Sequence, residues 1–186
     1  GDELVDVRLV EPGQDMLIAT RRGMAIRFCE SDARSMGRST RGVRGIALAE
    51  DDEVVGMVVV DAEMSLLTVC ENGFGKRTLF GNGDSSGNDT EESASKRGGM
   101  QYRRQKRGGK GLIDIRISER NGPVIDVSAV HDADEILMIT AGGMLQRVRA
   151  GEIRPIGRNT QGVRIITLKE GDRFVSLARI PGEIAD

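Results

Sequence analysis

Thr20-Arg21-Arg22-Gly23-Met24 returns as Cys70-Glu71-Asn72-Gly73-Phe74 and again as Thr140-Ala141-Gly142-Gly143-Met144. Each copy reaches a basic residue at the same later offset: Arg27, Arg77 and Arg147. Upstream, Asp2-Glu3-Leu4-Val5 recurs as Asp52-Glu53-Val54-Val55 and, weakened, as Asp172-Arg173-Phe174-Val175. Downstream, Gly37-Arg38-Ser39-Thr40-Arg41-Gly42-Val43-Arg44 matches Gly157-Arg158-Asn159-Thr160-Gln161-Gly162-Val163-Arg164. Gly23 to Gly73 is 50 residues and Gly73 to Gly143 is 70. Gly23–Gly42 and Gly143–Gly162 both span 19, whereas Gly73–Gly111 spans 38. One insertion of about 19 residues in the middle unit, near Gly81–Met100, reconciles these spacings. Such self-similarity marks tandem copies of one supersecondary unit that must stack to bury its core.

Each unit reads as β. Val5–Val10, Met16–Thr20, Met24–Phe28 and Val43–Leu48 are short apolar or β-branched runs between turn residues. Unit two repeats them as Val54–Val60, Ser65–Cys70, Phe74–Leu79 and Leu112–Ile117, and unit three as Val124–Val130, Glu135–Thr140, Leu145–Val148 and Val163–Leu168. Gly23, Gly73 and Gly143 sit between paired runs, where a tight hairpin needs positive φ. The reading is therefore all-β and propeller-like: about three four-stranded blades in a single domain. The blades are expected at about 1–48, 49–117 (with a flexible Gly/Ser-rich insertion at about 81–100) and 118–168. A last strand in 172–180 closes the domain by covering a neighbouring edge.

The 186 residues are 38% hydrophobic and 30% charged, too apolar for a disordered chain and too polar for a membrane helix bundle. The two cysteines stand apart, so neither a Cys-x-x-Cys metal site nor a disulfide framework is indicated. No signal peptide opens the chain, and the expected setting is cytoplasmic.

The net charge of −2 conceals a strong polarity. Between Lys96 and Arg116, eight cations face only Asp114, a local +7. Within that run lies Gln105-Lys106-Arg107-Gly108-Gly109-Lys110-Gly111. Three cations in five residues, with Gly108, Gly109 and Gly111 leaving the backbone bare, suit a phosphate. Arg103 and Arg104 precede the motif, and Lys96 and Arg97 end the insertion. A glycine-rich turn without a recognition helix carries no base-reading pattern, so the expected partner is double-stranded DNA held by its backbone, sequence-tolerantly and salt-sensitively.

That motif resembles the seven-residue box of the C-terminal DNA-wrapping domain of the DNA gyrase A family. Gly37–Ile46, Asn72-Gly73-Phe74-Gly75-Lys76-Arg77-Thr78, Ser118-Glu119-Arg120-Asn121-Gly122 and Ile156–Val163 resemble blade motifs of the same domain. The resemblance implies a β-pinwheel, a disc whose blades exchange strands and whose basic rim wraps DNA with a fixed hand. It implies a non-catalytic part of a type IIA topoisomerase that introduces negative supercoils. Partners implied are the remainder of gyrase A and the gyrase B protein, with ATP and Mg serving the holoenzyme and no cofactor in this chain. The DNA contacts implied add Arg38, Arg41, Arg44, Lys76, Arg77, Arg158 and Arg164, and Arg27, Arg77 and Arg147 read as a rim row. Two alternatives stand beside it: the corresponding C-terminal domain of topoisomerase IV, and a propeller whose basic loop meets an acidic protein.

Other candidates are sparse. His131 is the sole histidine, no Gly-x-x-x-x-Gly-Lys-Ser/Thr loop occurs, and Tyr102, the sole tyrosine, reads as a stacking or packing residue among cations.

Overall fold

The structure, a computed structural model, describes residues 3–81 and 101–182. The insertion, with Lys96 and Arg97, lies outside the described residues apart from Gly81. The strands are β1 (Asp15–Thr20), β2 (Met24–Cys29), β3 (Val54–Val60), β4 (Ser65–Cys70), β5 (Phe74–Leu79), β6 (Leu112–Ile113), β7 (Val124–Val130), β8 (Glu135–Thr140), β9 (Leu145–Arg149), β10 (Val163–Arg164) and β11 (Phe174–Ile180). They form three antiparallel sheets, ordered β3-β1-β2-β6, β10-β5-β4-β7 and β11-β8-β9.

Each unit's hairpin (β1–β2, β4–β5, β8–β9) closes in the same way. The amide of Gly23, Gly73 or Gly143 donates to the carbonyl three residues earlier, at 3.0 Å each time. The glycine takes φ of 81°, 76° or 81°, a region that costs an L side chain about 1–2 kcal/mol. The flanking strands of each sheet come from the following unit. Sheet 1 takes β3 and β6 from unit two, sheet 2 takes β7 and β10 from unit three, and sheet 3 takes β11. Sequence units and sheets are thus out of step by half a unit. A hairpin is a local event; its outer strands are chosen by whichever open edge lies nearby.

Four expected strands shorten or vanish. Leu112–Ile117 and Val163–Leu168 pair only at their first two residues, β6 and β10. After two ladder pairs the chain turns inward, and Asp114 and Ile115 both donate to Gly23 O, as Ile165 and Ile166 do to Gly73 O. Val43–Leu48 and Val5–Val10 form no strand, and Leu4, Val7 and Leu9 are exposed. β-branched composition describes a residue that fits a sheet; without an edge to join, it forms none.

Sheet 2 is the middle layer, and β4 is buried along its whole length on both faces. Leu66 and Cys70 pack with Leu17 and Ala19 of sheet 1, while Leu67 and Val69 pack with Ile136, Met138 and Ile166 on the other side. Each such leucine contributes about 1.5–3 kcal/mol on burial. This explains why β4 reads as an apolar run rather than as an alternation.

Candidate nucleic-acid interface

The turn at 105–111 is fastened along its length to the preceding unit. Gln105 N donates to Arg27 O at 2.7 Å, Gly108 N to Gly45 O at 2.8 Å, and Ala47 N to Gly109 O at 2.9 Å. A Cβ on Gly111 would fall 2.6 Å from Ala25 O. The glycines therefore let this turn approach its neighbour, and the Gly108 N–H is already used within the protein. Arg107 points the same way: Nε donates to Asp32 O at 2.8 Å and a second guanidinium nitrogen donates to Arg44 O. Arg158, at the equivalent place in unit three, donates to Gln101 O at 2.7 Å and Ile113 O at 3.3 Å. Both arginines clamp one unit onto the last. Lys106 and Lys110, flanking Arg107, are exposed.

Three expected rim cations lie inside. Lys76 is 0% exposed and Arg77 2%. Lys76 Nζ lies 2.7 Å from Asp114 Oδ1 and also donates to Thr78 Oγ1. Thr68 Oγ1 donates to Asp114 Oδ2 at 2.7 Å, and Tyr102 OH donates to Asp114 Oδ1. Burial pulls the Lys76 ammonium below its usual range, against the pull of Asp114. Burial also pushes the Tyr102 phenol well up, with Asp114 adding to it. Tyr102 is therefore a packing residue with a hydrogen-bonding role, closed to bases. Removing one partner of a buried pair like Lys76–Asp114 typically costs about 3–5 kcal/mol. Arg77 Nε donates to Ile153 O at 2.6 Å and pairs with Asp132. Arg27 is likewise buried, paired with Asp15 at 2.7 Å and donating to Phe80 O, Gly81 O and Tyr102 O. Arg147 is exposed but paired with Glu135. Arg27, Arg77 and Arg147 do repeat, as links within and between sheets rather than as a rim row. Residue type cannot reveal this, because the long arginine stem reaches carbonyls of a unit distant in sequence.

The outward cations sit on the connecting turns. Arg38, Arg41, Arg44, Arg103, Arg104, Lys106, Lys110 and Arg164 are exposed, and Arg158 is half-buried. Arg44 lies beside the motif, its Cβ and Cγ 4.0 Å from a Cβ on Gly108. Arg104 also pairs with Asp15 at 2.9 Å. Arg44 and Arg164 occupy equivalent places, as do Arg103 and Arg154, so equivalent turns present cations at matching positions. Arg116, Arg120 and Arg154, outside the set of expected DNA contacts, are exposed as well. Arg120 and Arg164 lie 4.7 and 5.3 Å from the Phe74 ring centroid, and Arg116 donates to Asn159 Oδ1 at 3.2 Å. Arg154 is findable, since it repeats Arg103; Arg120 is not, because only folding sets it over Phe74.

A cavity of about 940 Å³ is lined by residues of β3, β7 (Asp126 among them) and β11 together with Arg8, Asp15 and Arg104. Burial raises the Asp126 carboxyl above its usual range. Among the described residues no three His, Cys, Asp or Glu side chains group to hold a metal, and no helix is long and apolar enough to cross a membrane.

Comparison with known proteins adds to this geometry. A family model described as DNA gyrase C-terminal domain, beta-propeller, matches residues 14–61, 101–131 and 134–181. The DNA gyrase A protein of Haloquadratum walsbyi is 41% identical over 182 residues, covering 97% of this chain and 19% of that protein. The Escherichia coli K12 gyrase A protein is 39% identical over 180 residues, 97% of this chain and 18% of that one. The chain thus spans about a fifth of the length of these relatives. A solved DNA gyrase A C-terminal domain superimposes with TM-score 0.75 at 27% identity, over 92% of this chain and 52% of that one. The C-terminal domain of DNA topoisomerase IV shares the fold, with TM-score 0.78 at 21% identity, over 95% of this chain and 49% of that one.

Proposed function

The chain belongs to the DNA gyrase C-terminal beta-propeller family, and from that premise we propose that it binds duplex DNA by its phosphates and bends it along the turn-bearing rim. The observation that carries this reading is the repetition of exposed cations at equivalent turns, Arg44 with Arg164 and Arg103 with Arg154, flanked by Lys106 and Lys110. Family likeness to a beta-propeller sets such turns along a rim, and on this reading a duplex touching both bends. Bending 20–30 base pairs by 40–90° costs about 1–6 kcal/mol, which a few Arg–phosphate and Lys–phosphate contacts can offset. No base edge is addressed, since the cations stand on turns and no described helix is available to enter a groove.

Within a whole gyrase A protein, this activity supplies the handed DNA path from which the assembly with gyrase B introduces negative supercoils. ATP and Mg belong, on this reading, to other parts of that assembly. Ligation of a nicked circle in the presence of the protein tests the reading. The linking-number distribution should move to one side, further with more protein. A distribution unchanged at saturating protein would contradict wrapping.

A further inference from the structure

Phe74 is 5% exposed, yet it belongs to none of the three apolar clusters among the described residues. Two arginines meet its ring instead. The guanidinium carbons of Arg120 and Arg164 lie 4.7 and 5.3 Å from the ring centroid. Among the described residues, neither guanidinium meets a carboxylate or donates a hydrogen bond, unlike those of Arg27, Arg77 and Arg107. An aromatic face attracts a guanidinium without using the N–H donors at its edge. Phe74 thus orders two exposed arginines and leaves free the groups that bind an oxyanion.

The backbone beneath both arginines is fixed. Arg164 faces Phe74 in the β5–β10 ladder. Arg120 stands on the turn 116–121, which two asparagines tie down. Asn72 Nδ2 donates to Glu119 O at 3.0 Å, and Asn72 N donates to Asn121 O at 3.0 Å. Asn121, wholly buried, donates from Nδ2 to Arg116 O at 3.0 Å and to Gln161 O at 3.2 Å. The arrangement is confined to the joint of units two and three. Met24 stands in the place of Phe74 at the first joint, and it faces Ile113 where Phe74 faces Arg164. The equivalent turns begin after Ile46, Ile115 and Ile166 and end before Glu53, Pro123 and Arg173, whose carbonyls accept from the amides of Arg21, Glu71 and Ala141. Between those limits the middle turn is one residue longer and carries Arg116 and Arg120, whereas the other two carry Glu50 and Glu170 and no arginine.

We propose that Arg120 and Arg164, set on the Phe74 ring, form a two-guanidinium site for the backbone phosphates of duplex DNA, and that Phe74 is its positioning residue. The inference rests on the DNA-binding reading above and adds to it an anchoring point apart from Lys106 and Lys110. Arginine forks match the oxygens of a phosphate, and Arg116 on the same turn adds a third cation. Side chains ordered before the ligand arrives lose less freedom on binding it. The ring therefore raises affinity although it carries no charge and touches no phosphate.

Duplex binding by the 186-residue chain across a salt series tests this. Arg120→Gln and Arg164→Gln should each lower affinity roughly tenfold. Each should also flatten the slope of log K against log salt by about 0.9. Phe74→Leu leaves every charge in place and should still lower affinity about three- to fivefold, while Phe74→Tyr, which keeps the ring, should bind as the parent does. In a chain already carrying both Arg→Gln changes, Phe74→Leu should lower affinity no further, though it shifts the urea midpoint as it does in the parent. If Phe74→Leu does not fold, the two arginine variants, both at exposed sites, decide the matter. Parental affinity and slope in either arginine variant, or a Phe74→Leu loss that persists without the arginines, would overturn the site and leave the DNA-binding reading standing. Binding by the parent chain that ignores salt would overturn both.

Discussion

Arg107 and its neighbours Lys106 and Lys110 look alike in composition and do different work. Arg107 spends its guanidinium on Asp32 O and Arg44 O, while the two lysines stand in solvent. Lys106→Ala and Lys110→Ala should weaken duplex binding with little change in urea midpoint, each lost phosphate contact flattening the plot of log K against log salt by about 0.9. Arg107→Ala should instead lower unfolding stability, by about 1.5–3 kcal/mol for hydrogen bonds from a charged group. Equal effects of all three on stability would remove the distinction. The sequence marks the cluster but not this division, because the carbonyls that capture Arg107 come from a loop more than sixty residues upstream. Lys76 and Arg77 show the same limit: on β5 they read as solvent-facing charge, and only folding sets Lys76 on Asp114 of its own unit and Arg77 on Ile153 O and Asp132 of unit three.

At the scale of the element, the hairpins are legible in the sequence and their partners are not. Glycine at 23, 73 and 143 with apolar runs on either side places six strands closely; β6 and β10 end early because the chain then turns inward, Asp114 and Ile115 donating to Gly23 O and Ile165 and Ile166 to Gly73 O. This gives a comparison of glycines. Gly73→Ala must place its Cβ 2.5 Å from Ile166 O, whereas Gly171, at φ 76°, has nothing within 4 Å. Gly171→Ala should cost only the left-handed penalty of about 1–2 kcal/mol, and Gly73→Ala clearly more, as read by chemical denaturation. The buried cluster under β4 and β5 sets an alkaline limit. Burial, with Asp114 adding to it, pushes the Cys70 thiol up to about 12 from an ordinary 9.0. The folded thiol keeps its proton where the unfolded one has lost it, so stability falls as pH rises from about 9 towards 12. Tyr102, also raised, adds to the fall above its ordinary 10.0. Lys76, lowered, acts in the opposite sense up to its ordinary 10.5, since the unfolded chain binds its proton more tightly, and so offsets part of that fall. The urea midpoint should therefore drop over pH 9–11, and Cys70→Ala should make that drop shallower. An identical slope in the variant would refute the assignment to Cys70.

Across the whole molecule, the repeat spacing predicts the number of sheets, and the half-unit offset between repeat and blade escapes it. Nothing in a tandem repeat says whether an outer strand stays with its own hairpin or joins the last one; two short ladders and two arginine clamps decide it here. The same exchange sets equivalent turns, and their cations, at matching places along the stack. Affinity should then depend on how many phosphates meet those turns and not on which bases lie between them. The decisive measurement is duplex binding across a salt series, using two unrelated sequences of one length. The account predicts matching constants and a common slope steeper than about −3, as several phosphate contacts at about 0.9 each require. A strong preference for one sequence, or affinity indifferent to salt, would contradict it.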